Sequence, residues 1–334
     1  MLVACTVQGV SRKPATDVIT PSDARAVVTS YWTQNEKVNV TADAALLETI
    51  EAGPALTVDQ VMLARNAKLN RHLAEARPLR KVTVYVPHQS RFPAEFAARI
   101  DTVDADPTGK LSTAPFTFFN VFEKTSAGEV WKSTFFVVPT TGETITIPIG
   151  EDGYVAQVPS AGATQAVPPE QMGQVVADYV NAATAGLGVD DSKLDGAPRI
   201  DAIARGQKLS IEGARRSGFT LNVKATPGPG GSHAYSSALS QALVFFTITS
   251  LSVAVAARDG ACFVQDQRLR LPPEVPPGSY GRVENKILAL VIATDPPAGK
   301  GKAKVVGLTG VDYDFKVEPA RGPCIDSGPP PATV

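Results

Sequence analysis

The chain has 334 residues, 43% hydrophobic and 19% charged, which describes a folded protein long enough for two ordinary domains rather than a disordered chain. Its 32 Lys and Arg against 33 Asp and Glu give a formal charge of −1. That balance leaves no basic footprint for nucleic acid and no polybasic block for an anionic membrane surface.

The chain opens Met1-Leu2-Val3-Ala4-Cys5. An aliphatic residue, then slim ones, then a cysteine is what a lipoprotein signal peptidase reads and what diacylglycerol transfer to a thiol needs. Cys5 is therefore the expected lipidation site. A lipid there holds the protein on the outer face of a membrane without a spanning helix. The basic region and apolar run of a full signal do not precede it, which implies trimming at the cleavage site or a start codon set too late. Residues 1–19 read as a lipobox remnant followed by a polar tether.

A first domain is expected over residues 20–160. Thr20 can cap a helix that starts at Pro21, and Ala24, Val27, Val28 and Tyr31 fall at helical spacing. Further helical stretches are expected at 44–50 and 58–76. Strands follow at 81–87, 95–103, 116–124, 130–138 and 144–149, with Thr125-Ser-Ala-Gly128 turning the chain between the third and the fourth. The small residues between Pro159 and Pro168 form the expected linker.

A second domain is expected over 161–320. Pro169, Val175-Val176 and Tyr179 repeat Pro21, Val27-Val28 and Tyr31 in register, a faint internal repeat. A helical stretch is expected at 200–205 and strands at 219–224, 242–256, 262–265, 287–294 and 304–307, with Asp259-Gly260 turning the chain. Residues 234–257 carry no charge and are numerous enough to cross a bilayer. Ser and Thr at nearly every second position favour instead a long half-buried strand, bulged or bent near Ser250 where the apolar phase shifts. Residues 321–334 end in a Pro/Gly-rich tail. A lipid on Cys5 and a Cys262–Cys324 bridge would account for all three cysteines; two buried free thiols are the alternative.

Helices followed by long antiparallel strands, twice over, describe an α+β fold of two tandem domains, each with N-terminal helices packed on a curved sheet. That order resembles the cone-shaped fold of nuclear transport factor 2 and ketosteroid isomerase. Ile19-Thr-Pro-Ser-Asp-Ala-Arg25, Glu51-Ala-Gly-Pro-Ala55, Val84-Tyr-Val-Pro87 with Phe92-Pro93, and Thr125-Ser-Ala-Gly128 with Trp131-Lys132 accompany the N-terminal Leu-Val-Ala-Cys. Together they resemble a family of actinobacterial lipoproteins of unknown function. The resemblance implies export, anchoring and a tandem architecture, and no reaction.

Little in the sequence points to catalysis. His72, His88 and His233 are far apart, and no Cys/His spacing suits zinc, so no metal or cofactor is expected. No serine stands in a Gly-x-Ser-x-Gly elbow, and Lys300-Gly-Lys302 lacks the earlier glycine of a phosphate loop. Asp101, Asp104 and Asp106 read as a solvated strand end. The candidate ligand site is an apolar pocket between helix and sheet, lined by Tyr31, Trp32, Phe118 and Trp131, although the same rings suit a packed core. The expected function is a non-catalytic binding or structural role at the extracytoplasmic face of the cell membrane, with an envelope protein or a small apolar ligand as partner. A ketosteroid-isomerase-like enzyme, using a carboxylate and a tyrosine on a small apolar substrate, is the alternative.

Overall fold

The computed structural model describes residues 17–69, 77–105, 111–140, 143, 145–158, 164–188, 190–195, 198–236, 241–258, 260–265, 275–324 and 326–328. Cys5, His72, Asp106, most of the tether and linker, and the end of the tail lie outside them. The fold is mixed α+β, with helices α1 to α5 and two sheets that do not close into a barrel.

In the first half, α1 (Pro21–Thr41) begins at Thr20, whose hydroxyl accepts from the Asp23 amide at 3.2 Å and donates to the Asp23 carboxylate at 2.7 Å. Asp43 caps α2 (Ala44–Ile50) by accepting from the Leu46 amide at 2.9 Å. α3 spans Gly53–Lys68, starting earlier than the apolar spacing suggested because Pro54 fits a first turn. These helices cover a four-stranded antiparallel sheet of β1 (Leu79–Tyr85), β2 (Ala94–Ala105), β3 (Leu111–Lys124) and β4 (Lys132–Val137) in sequential order. The expected fifth strand does not form: residues 145–149 run without strand pairing. Ile145 and Ile147 are nevertheless buried, so their alternation reflects core contacts, and Pro148 has no amide to give a ladder.

The second half opens with a short 3₁₀ turn at Pro169–Gln171, then α4 (Met172–Ala185) and α5 (Pro198–Arg216), the latter much longer than expected. Its strands are β5 (Leu194–Asp195), β6 (Phe219–Ser236), β7 (Ala242–Ala256), β8 (Ala261–Gln265), β9 (Gly278–Asp295), β10 (Ala303–Pro319) and β11 (Asp326–Gly328). β9 is central. It pairs antiparallel with β10 along one edge and with β8 and then β7 along the other, and β6 extends the sheet beyond β7. The short β5 and β11 add parallel pairs to β10 and β8.

The uncharged stretch is a strand, β7, and no helix among the described residues is long and apolar enough to cross a membrane. Its register against β9 runs unbroken from Ala242 to Val255, so there is no bulge at Ser250. The irregularity lies in β6 instead, between Pro227 and Ser232, where the Gly-rich segment bows out opposite Thr247. The shift in apolar phase has a different cause. Residues 242–248 are buried on both faces, whereas 249–253 are only half-buried. Val244, Phe246 and Ile248 face α4, while Leu243 and Phe245 face the first half.

That second contact joins the halves. Each has apolar clusters of its own, but one cluster draws Val58, Tyr85, Phe119, Val121 and Phe135 from the first half and Tyr235, Leu243, Phe245, Leu290 and Ile292 from the second. α1 and α4 bury their faces with the same spacing. Ala24, Val28 and Trp32 of α1 and Met172, Val176 and Val180 of α4 occupy matching buried positions, one helical turn apart.

Cys262 in β8 and Cys324 just before β11 form a disulfide with Cα atoms 5.7 Å apart. The bridge closes a sequence separation of 62 residues, for which loop-closure entropy predicts about 4 kcal/mol of stabilisation. Cys324→Ser is expected to lower the free energy of unfolding by about 2–4 kcal/mol in urea titrations, and reductant should act only on the native protein. Equal stability of the two proteins would show that the bridge contributes nothing.

Candidate functional site

The most chemically distinctive group in the fold lies under α1. The helical spacing that buries Val28 and Trp32 also turns Tyr31 inward. Its hydroxyl donates to Glu51 Oε1 at 2.7 Å, with both side chains buried. Glu51 occupies the corner between α2 and α3. Its amide donates to Leu47 O at 2.9 Å, and the next amide, Ala52, donates to Ser133 O of β4 at 3.0 Å. The Glu51 side chain is fully buried at this corner. Two turns into α3, Asp59 returns to the same spot, and the two carboxyl groups lie within hydrogen-bonding range of each other. Asn120 of β3 completes the cluster by donating from Nδ2 to Ser133 Oγ at 3.2 Å.

Two carboxylates so close in a site of low polarity cannot both be ionised. Burial above all, and then the charge of Asp59, holds the Glu51 carboxyl well above the usual range; the Tyr31 hydroxyl offsets this only in part. Burial raises Asp59 to about 6, although a hydrogen bond from Glu51 acts against the rise. Burial, followed by both acids, also pushes the Tyr31 phenol well above its ordinary value. At neutral pH the pair carries about one proton between two acids, with Asp59 as the more acidic member.

This pair backs a cavity of about 300 Å³. Tyr31, Trp32 and Asn35 of α1, Asp59 and Met62 of α3, Phe118 and Asn120 of β3, and Thr309 and Gly310 of β10 are among its walls. Trp32 is pinned by its indole N–H, which donates to Arg77 O at 3.0 Å and Glu36 Oε1 at 3.2 Å. The Arg77 guanidinium lies over the Phe116 ring at 4.7 Å. Of the pocket residues expected from sequence, Tyr31, Trp32 and Phe118 come together here. Trp131 does not line the cavity; its ring meets Phe96 edge-on at 5.1 Å.

Glu51 and Asp59 were missed by sequence reasoning, which read Glu51-Ala-Gly-Pro-Ala55 as caps and turns. The available signal was an acid set immediately before a Gly-Pro helix start, where a corner can aim it inward. Asp101 also differs from its expected solvated state. It is buried, accepting from Thr117 Oγ1 at 2.7 Å and Arg99 Nε at 2.9 Å. His88 is exposed, stacked on Tyr154 and bonded to Asp17 and Asp152.

A second group straddles the two halves. His233 of β6 donates from Nδ1 to Glu95 Oε2 at 2.6 Å, and its Nε2 lies 3.3 Å from Glu123 Oε1. Glu95 also accepts from Gln157 at 2.7 Å and Tyr235 at 3.2 Å. Among the described residues this is the one grouping with the composition of a metal site. Its geometry suits a doubly bonded imidazolium better, because an acid stands at each ring nitrogen and Glu95 already accepts from His233, Gln157 and Tyr235. The residues are so widely separated in sequence that spacing could not reveal them.

Helices on a four-stranded sheet, a second sheet sharing its core, and an acid pair behind an aromatic cavity define an α+β protein with a site of small-molecule size. The chain belongs to the family described as Domain of unknown function (DUF8094), whose profile matches residues 15–312. No curated protein and no solved structure matches the chain.

The clasp has a pH window. Burial alone would lower His233, but the bond and charge of Glu95, with the charge of Glu123, raise it above its ordinary 6.5. Burial alone would raise Glu95, but bonds from His233, Gln157 and Tyr235 bring it below its ordinary 4.5. A raised histidine stabilises fully below its unfolded value and loses this as pH rises through the folded one. A lowered glutamate stabilises above its unfolded value and loses this as pH falls through the folded one. The two windows overlap from about pH 4.5 to 6.5. His233→Gln is expected to cost about 2–4 kcal/mol there, as for a broken buried pair, and less at pH 9. Melting curves of both proteins across pH test this; a difference that does not vary with pH would refute the clasp.

Proposed function

We propose that this protein is an exported, lipid-anchored component of the cell envelope whose folded part binds a small organic molecule without transforming it. The observation that carries the binding role is the cavity behind Tyr31 and Trp32, with aromatic walls and buried polar groups at one end. That combination of a mostly apolar lining with a few fixed polar groups is the usual composition of a ligand site. The Cys262–Cys324 disulfide supports export, since such bridges persist in oxidising compartments. The Leu-Val-Ala-Cys opening supports a lipid on Cys5 and a position on the outer face of the membrane. The repeated order of helices and strands supports reading the halves as tandem cone-like units, over residues 20–160 and 161–320.

A second reading, catalysis of the ketosteroid-isomerase type, is favoured by one specific observation. Asp59 is raised to about 6, beside a tyrosine hydroxyl and a protonated acid, which is the equipment for moving a proton next to a carbonyl. Binding is preferred because the Tyr31 hydroxyl is already committed to Glu51.

Both readings can be tested directly. Mass spectrometry of the membrane fraction from cells expressing the native gene should find a diacylglyceryl group on Cys5, lost in Cys5→Ser. A cytosolic protein with a free thiol would overturn the anchor. Incubation with a β,γ-unsaturated cyclic ketone should leave the substrate unchanged. Formation of the conjugated enone, abolished in Asp59→Asn, would establish the catalytic reading instead.

A further inference from the structure

The polar atoms around the cavity are biased in one direction. Asn35 Oδ1 and Asn120 Oδ1 are buried without a hydrogen-bond partner, and both are acceptors. Asn35 and Asn120 line the cavity, and Glu51 stands directly behind Asp59. Asn120 is only 2% exposed, and its donor end is taken up by Ser133, so its carbonyl oxygen is what it offers. An empty buried acceptor is destabilising, and a ligand carrying donors would relieve it.

Charge narrows the choice. Two acids, Glu36 and Asp59, and one base, Arg77, line the cavity, and Glu51 behind the wall shares a proton with Asp59. Arg77 lies over the faces of Phe116 and Phe118 at 4.7 and 5.9 Å. A carboxylate ligand would meet repulsion from the acid pair, and a hydrocarbon would leave every acceptor empty. An ammonium group supplies three donors, no acceptor and a positive charge. Trp32 and Phe118, with centroids 5.6 Å apart, provide ring faces for the apolar body and for cation–π contact.

We infer that the cavity takes a small primary amine in its protonated form, carried on a flat apolar body, with the ammonium group received by Asp59 and Asn120. Glu51 is a positioning residue that fixes Asp59 and shares its proton. The inference rests on the binding role proposed above and names the ligand class for that same site.

Isothermal titration of the full chain with an isosteric set of probes tests it: 2-phenylethylamine, 2-phenylethanol and phenylacetate at pH 7.5. The amine is expected to bind about tenfold more tightly than the alcohol, as for a charge-assisted bond, with the acid weakest. Asp59→Asn should bring the amine level with the alcohol. Lowering the pH to 5 should weaken the amine alone, because a proton then competes for Asp59, which titrates at about 6. The groups facing Asp59 in this titration are Glu51 and Tyr31 behind it and Glu36 and Arg77 along the wall. Equal binding of amine and alcohol, or tightest binding of the acid, would overturn the ligand class and leave the binding role standing. No binding by any of the three would overturn both. The comparison within the native protein decides the matter without any variant.

Discussion

Phe245 is fully buried and touches rings from both halves: Phe135 at 5.5 Å and Phe119 at 6.5 Å from the first, Tyr235 at 5.9 Å from its own. The aromatic layer around it is the contact on which the other features depend. Burying both faces of β7 at residues 242–248 brings the sheets together and carries β10 to the edge of the first-half cavity. It also encloses Tyr235, whose hydroxyl must then find a partner at the margin of the layer. Glu95 supplies it, and the charge of Glu95 in turn calls for His233. The polar clasp is thus a consequence of the apolar contact, formed where that contact ends.

The two tyrosine–carboxylate bonds show how surroundings change one chemical pairing. Tyr31 donates to Glu51 at 2.7 Å in the first half, and Tyr179 donates to Asp201 at 2.7 Å in the second. The tyrosines occupy corresponding places in the internal repeat. In the second half the pair lies near the surface of α4 and α5, and the phenol rises to about 12, through desolvation first and Asp201 next. In the first half the pair is sealed beneath α1 and joined by a further acid, so a proton is retained that solvent would otherwise remove. What distinguishes the candidate site is therefore its enclosure and the addition of Asp59.

Much of the scaffold was legible because local rules and tertiary contacts agreed. Thr20 and Pro21 mark a helix start, and the Ser/Thr alternation in β7 marks a strand. The expected disulfide formed because β8 and the segment before β11 lie side by side. Misreadings arose where one pattern had two causes. Ile145 and Ile147 alternate like a strand but pack without one, and the phase shift in β7 records a change in burial rather than a bulge. The acid pair was illegible for a deeper reason. An acid in a turn normally faces water, and here Tyr31, Asp59 and Ser133, all distant in sequence or on other elements, enclose the corner. Trp131 lies one residue before β4, and its ring meets Phe96 edge-on instead of entering the cavity.

The bowed segment of β6 reaches across to the corner that holds Glu51. Gly230 has φ +94, and a Cβ built there would stand 2.8 Å from Pro54 Cγ, in the first turn of α3. A side chain there would press on the proline that opens the helix carrying Asp59, so one of the two segments would have to shift. Positions 54 and 230 are therefore sterically one site divided between two halves of the chain. Replacing the proline would relieve the contact but not free the glycine, because φ +94 strains any side-chained residue whatever the space.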